Sequence, residues 1–129
     1  MLVKDLMSTS IISVSPEDTL ERVIFIMKSE DVGIVPVCDL QNRLVGVITD
    51  RDLILRDGKC ASDYMSKGPV TVNAKDDIHN AALEFSKYKV RRLPVLDGER
   101  LVGILSLKDL AKKKILMAEI GHIIYNICN

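Results

Sequence analysis

The sequence has no surplus of charge of either sign, since 18 Lys and Arg are balanced by 18 Asp and Glu. A whole-molecule field that would gather nucleic acid or an anionic membrane is therefore missing. Long apolar runs are also lacking, and none approaches the roughly 20 residues of a membrane span. The opening MLVKDLMSTS holds no apolar core of signal-peptide length. These absences predict a cytoplasmic protein that binds neither membrane nor nucleic acid. Cysteine is scarce. Cys38, Cys60 and Cys128 are odd in number, form no CxxC and lie near no histidine, so they read as ordinary thiols of a reduced protein. A P-loop, a GxGxxG turn and a nucleophile elbow are absent too. The two histidines supply no base: His79 falls on the exposed side of an expected helix and His122 in the tail. Asp50-x-Asp52 has a spacing that could touch Mg²⁺, but it reads more simply as a solvated helix start. No catalytic residue, metal site or obligatory cofactor is expected, and an enzyme is disfavoured.

What the sequence does contain is an internal repeat. Val32-Gly-Ile-Val-Pro36-Val37 returns as Val90-Arg-Arg-Leu-Pro94-Val95, 58 residues later. Val3-Lys-Asp5-Leu-Met7 returns as Ala61-Ser-Asp63-Tyr-Met65 at the same offset. Leu44-Val-Gly46-Val-Ile-Thr49-Asp-Arg-Asp52-Leu53 returns as Leu101-Val-Gly103-Ile-Leu-Ser106-Leu-Lys-Asp109-Leu110, offset by 57 because one turn is a residue shorter. Turns tolerate such a deletion. The copies span residues 1–58 and 59–112, and 113–129 form a tail.

Each copy predicts the order βαββα. A short strand, Ile11 to Val14 or Val70 to Val72, precedes a helix expected to open at Ser15-Pro16, or at Asn73, with Asp18 or Asp76 three residues on. Leu20, Val23, Ile24 and Met27, and then Ile78, Ala81, Ala82 and Phe85, make one apolar stripe per helix. Two strands then pair across a turn, Val32 to Cys38 with Arg43 to Ile48 and Val90 to Leu96 with Arg100 to Leu105. Second helices begin at Thr49 and Ser106. A unit of about 58 residues is marginal alone, so the two are expected to pack sheet to sheet about a pseudo-two-fold axis, giving matched crevices. The fold class is α/β in the broad sense, or α+β.

The chemistry falls on the recurring Thr/Ser-x-x-Asp. By itself this is a capping box, hydroxyl and carboxylate satisfying orphan helix donors. A helix start also suits a phosphate, and a carboxylate there can accept both hydroxyls of a ribose cis-diol. Arg51 and Lys108 hold equivalent positions inside the two motifs, and Arg91 and Arg92 stand where the first copy has Gly33 and Ile34. Alternation along a strand lets one of the two arginines face a crevice. The asymmetry predicts one site built for a phosphate and one poorer in cations.

These motifs together resemble the CBS domain, and the tandem pair resembles a Bateman module, over residues 2 to 112. The resemblance implies binding of AMP, ADP, ATP or S-adenosylmethionine in two inter-repeat crevices, and homodimers shaped as flat discs. It implies one crevice combining Thr49 and Asp52 with Val70, Arg91, Arg92 and Ser66. The other would combine Ser106, Lys108 and Asp109 with Ile12, Gly33, Ile34 and Ser8. The expected function is a regulatory module with no attached enzyme, channel or DNA-binding domain. It would bind an adenine nucleotide and signal to a protein partner in trans. Two guanidiniums favour AMP or ATP over the sulfonium of S-adenosylmethionine; a ligand-free dimerisation module is the other alternative. In the tail, Leu116, Ile120, Ile123, Ile124 and Ile127 form a helical stripe behind Lys112-Lys-Lys114. With no third repeat to cover it, the stripe is expected to bury against a second protomer rather than on its own module.

Overall fold

Apolar alternation and two capped helix starts recur in each half of the chain, and the computed structural model, which describes residues 1–128, resolves them into two compact units. One is continuous, Ile12–Pro69; the other is split, joining Met1–Ile11 to the chain from Val70 onward. The units are thus offset from the sequence copies, because the opening eleven residues fold with the second half.

In the continuous unit, α1 (Leu20–Glu30) leads into β1 (Ile34–Cys38), which pairs antiparallel with β2 (Leu44–Thr49). A short helix, α2 (Asp50–Leu55), follows directly, and α3 (Ala61–Tyr64) closes the unit. Val14, Val23, Ile26, Val35, Val37, Ile48, Ala61 and Tyr64 form its core. Ser66 adds an antiparallel bridge to Val47 along the outer edge of β2. That approach explains Gly46: a Cβ there would lie 2.9 Å from the Ser66 carbonyl oxygen.

The split unit repeats the plan. A short β3 (Val72–Asn73) runs parallel to β4 (Arg92–Asp97), α4 (Ile78–Tyr88) lies between them in sequence, and β4 pairs antiparallel with β5 (Arg100–Ser106). Helix α5 (Leu107–Ala111) follows, and α6 (Met117–Cys128) ends the described chain. Here Ser8 bridges Ile104, and a Cβ on Gly103 would lie 3.0 Å from the Ser8 carbonyl oxygen. The Asp-x-Met-Ser segment that opens each copy therefore docks beside the glycine of the other copy's hairpin.

Three expectations need correction. The strand expected at Ile11 to Val14 reduces to one parallel bridge, Val14 to Val37, and that at Val70 to Val72 to β3. The first helices start four to five residues late. Asp18 and Asp76 do accept the N–H of Ser15 and Asn73 (both 2.8 Å), but these bonds close a turn. The residues that open the helices are Thr19 and Asp77, whose extended backbones interrupt any continuous helix. Finally, the tail helix packs on its own unit: Leu116 and Ile123 are buried, and Ile120 and Ile127 pack against the same core as Ala82, Phe85 and Leu110. Only Ile124 of the expected stripe turns outward. The stripe serves its own unit because α4 offers small side chains, Ala81, Ala82 and Ser86, that let a helix approach.

Candidate functional site

Both Thr/Ser-x-x-Asp motifs sit where a strand passes straight into a helix, and both are complete capping boxes. Thr49 N–H donates to Asp52 Oδ2 (2.8 Å), and Asp52 N–H donates back to Thr49 Oγ1 (3.2 Å). Ser106 N–H donates to Asp109 Oδ2 (2.9 Å), and Asp109 N–H to Ser106 Oγ (3.1 Å). The cap uses one carboxylate oxygen in each case, which leaves Oδ1 for other work. Around Asp52 Oδ1 stand the Ser66 hydroxyl and Arg56 Nε, each at 3.5 Å. The Arg56 guanidinium also donates to the Met65 carbonyl and to Ser66 Oγ, both at 3.4 Å. Asp109 Oδ1 faces Lys112 Nζ at 3.8 Å. Asp109 is buried and Asp52 half-buried, so each carboxylate is fixed by its helix and screened on most sides.

Strand register brings further residues to each helix start. Ile34 lies opposite Thr49, and Asp50 N–H donates to the Gly33 carbonyl (2.9 Å). In the split unit Arg92 lies opposite Ser106, and Leu107 N–H donates to the Arg91 carbonyl (3.0 Å). Alternation leaves Arg91 exposed and Arg92 half-buried.

Each unit by itself therefore assembles one set. The continuous unit holds Gly33, Ile34, Thr49, Asp52 and Ser66; the split unit holds Arg91, Arg92, Ser106, Lys108 and Asp109. The groupings implied by the resemblance draw on both units, whereas register within a unit places the arginines with Ser106 and Asp109. Lys108 and Arg51 are exposed. Val70 packs against the core of the split unit, and Ile12 is exposed at the start of the continuous one. Ser8 is exposed and engaged through its backbone with Ile104. Arg56 and Lys112 were missed in the sequence. Their spacing, one helical turn beyond Asp52 and Asp109, was the available signal.

Among the described residues no group of three or more His, Cys, Asp or Glu could hold a metal ion, and no helix is long and apolar enough to cross a membrane. All three thiols are free. Burial pushes the Cys38 thiol up, and the Ser13 hydrogen bond only partly offsets this.

The family model for the CBS domain matches twice, at residues 3–58 and 61–115. Among known proteins, the CBS domain-containing protein YhcV of Bacillus subtilis is 36% identical, over 97% of this chain and 94% of that protein. The structure of CBSX2 in complex with AMP superposes with a TM-score of 0.82 at 27% identity, covering 91% of this chain and 98% of that one; CBSX2 comes from Arabidopsis thaliana. The CBS domain pair of protein MJ0100, in complex with 5′-methylthioadenosine and S-adenosyl-L-methionine, gives a TM-score of 0.77 at 26% identity, covering 87% of this chain and 94% of that chain.

Proposed function

The chain belongs to the CBS-domain family as two tandem copies with a mixed α+β fold, and from that premise we propose that it is a non-catalytic regulatory module that binds an adenine nucleotide, AMP, ADP or ATP. It passes the binding state to a separate protein partner, as a homodimer in the reducing cytoplasm. The observation that carries this reading is the register of β4 on β5, which sets a cationic strand start beside an acidic helix start in one unit. A nucleotide needs that pairing of opposite charges: a carboxylate for the ribose diol and guanidiniums for the phosphate. Asp109 Oδ1, free of the capping box, accepts the two hydroxyls, while Ser106, Lys108 and whichever arginine faces the ligand hold the phosphate. Thr49, Asp52 and Ser66 do the same for the ribose in the other unit, where Ile12 and Ile34 lend apolar surface to the base; in the split unit Val70 lends it.

Calorimetric titration with AMP, ATP and S-adenosylmethionine tests the assignment. Asp109→Asn keeps an acceptor for the cap but loses the charge, and its AMP affinity falls by about 10- to 100-fold, the weight of roughly 1.5–3 kcal/mol for a charged hydrogen-bond pair. Arg91→Ala with Arg92→Ala weakens AMP and leaves adenosine unchanged. Absence of heat with all three ligands at millimolar concentration sinks the reading. A second reading rests on Gly33 and Ile34, which leave the continuous unit without strand arginines. That set suits a cationic adenosyl ligand such as S-adenosylmethionine, which one of the similar structures contains.

A further inference from the structure

An ionised carboxylate offers about four lone-pair positions, two on each oxygen. At Asp52 all four are addressed. Oδ2 accepts the Thr49 N–H (2.8 Å) and the Thr49 hydroxyl (3.1 Å), while Oδ1 faces the Ser66 hydroxyl and Arg56 Nε, both at 3.5 Å. The first pair is short and belongs to the capping box; the second is long. A ribose diol needs two acceptor positions, so at Asp52 it gains them only by displacing the second pair. Asp109 differs. Its Oδ2 accepts the Ser106 N–H, and Lys112 Nζ, at 3.8 Å from Oδ1, stands beyond hydrogen-bond reach. The two carboxylates are thus unequal in what a ligand must first move.

Arg56 is held in place from both sides along the chain. Its backbone N–H ends α2 by donating to the Asp52 carbonyl (3.0 Å), so the side chain starts one turn from the carboxylate it faces. The chain beyond it is pinned to α3. The Tyr64 hydroxyl donates to the Gly58 carbonyl (3.0 Å), and the Lys59 and Cys60 N–H groups donate to Asp63 Oδ2 (2.9 and 3.1 Å). From this fixed start the guanidinium meets Asp52 Oδ1, the Met65 carbonyl and Ser66 Oγ together. It therefore ties the end of α2 to the segment that bridges Val47. The Arg56 side chain is 46% exposed, so salt weakens this ion pair and a ligand can part it.

We propose that Arg56 is a latch on the ligand site of the continuous unit. In the ligand-free chain its guanidinium holds the Asp52 oxygen that a ribose diol must take, and binding releases it from Asp52, Met65 and Ser66. The latch rests on the nucleotide reading, and it adds a regulated step to that same site. Part of the binding energy goes into opening the ion pair, so the latch lowers affinity for the nucleoside. In return, binding puts a free guanidinium at the end of α2, a change of surface charge that a protein partner can read.

Adenosine is the probe, because it carries the diol but no phosphate on which Arg56 could act directly. Calorimetric titrations use the full chain with Asp109→Asn, which weakens the split unit so that the heat reports on the continuous one. Adding Arg56→Ala is expected to tighten adenosine by about two- to fivefold, the weight of one half-exposed ion pair. The latch also predicts a salt effect that a purely structural arginine would not give. Raising NaCl from about 50 to about 500 mM tightens adenosine on the Asp109→Asn parent, although the ligand is neutral, and leaves the Arg56→Ala variant unchanged. If circular dichroism shows Arg56→Ala unfolded, Arg56→Gln, which keeps donors without the charge, carries the same test. Adenosine binding that is equal or weaker without the arginine, while the parent binds, overturns the latch and leaves the nucleotide reading standing. Absence of heat from every chain, with adenosine and with AMP, removes both.

Discussion

Gly46→Ala adds one methyl group and should cost the continuous unit a substantial part of its stability. The new Cβ would lie 2.9 Å from both the Ser66 carbonyl oxygen and the Met65 sulfur. The sulfur can swing aside, but the carbonyl belongs to backbone held by Ser66 N–H donating to Val47 (2.8 Å) and Val47 N–H donating to Ser66 (3.1 Å). Relieving the contact stretches or breaks that bridge. Overpacking of this kind costs about 1–3 kcal/mol, and weakening the two backbone bonds adds up to about 1 kcal/mol each, so a loss of about 2–4 kcal/mol is expected. For a chain of this length each kcal/mol moves Tm by about 3–5 °C, which predicts a fall of roughly 6–20 °C. Ser66 also stands 3.5 Å from Asp52 Oδ1, so the same substitution should weaken ligand binding in that unit. Gly121→Ala is the control. A Cβ there meets nothing within 4 Å, and alanine in a helix interior gains about 0.5–1 kcal/mol over glycine. Urea unfolding of both variants measures the difference. If Gly46→Ala is as stable as wild type, the close passage of the Ser66 backbone is not what requires glycine.

Two smaller predictions follow. Backbone N–H groups of Lys59 (2.9 Å) and Cys60 (3.1 Å) donate to Asp63 Oδ2 and hold its carboxyl below the usual carboxylate range. A depressed folded pKa gives stability that is complete above the unfolded value and lost as pH falls through the folded one. The stability difference between wild type and Asp63→Asn should therefore stay constant from neutral pH down to the ordinary carboxylate range and vanish only below it; a difference already lost near pH 6 would contradict the capping role. Burial also raises the Cys38 thiol, so at neutral pH iodoacetamide should label Cys128 quickly and Cys38 only as the unit unfolds, as peptide mass spectrometry would record.

The hairpins were legible because their alternation and their Pro-Val and Gly-x-x-Thr/Ser signatures act locally, and each strand lies within two residues of its expected limits. The capping boxes were legible for the same reason. The starts of α1 and α4 were not. Ser15 and Asn73 carry a genuine capping signature that closes a turn, and a second cap follows at once in Thr19 and Asp77. Local pattern cannot rank two adjacent caps when tertiary packing chooses between them. The partners of Asp52 and Asp109 were invisible for a different reason: Arg56 and Lys112 look like solvated helix ends until the carboxylate beside them is seen. The destination of the α6 stripe depended on Ala82 and Ser86, small residues whose sequence gives no sign that another helix will lie over them.

The division of the chain into a continuous and a split unit orders events during synthesis. Ile12–Pro69 has every partner it needs once Pro69 has left the ribosome, so it can close while the rest is still being made. Met1–Ile11 emerges earlier but must wait: Val3 finds its acceptor in Asp76 only once the chain beyond Pro69 is made, and Ser8 finds Ile104 only after the second hairpin appears. Residues 1–11 thus precede their partners in synthesis and settle late. Removing residues 1–11 would then injure the unit that begins again at Val70.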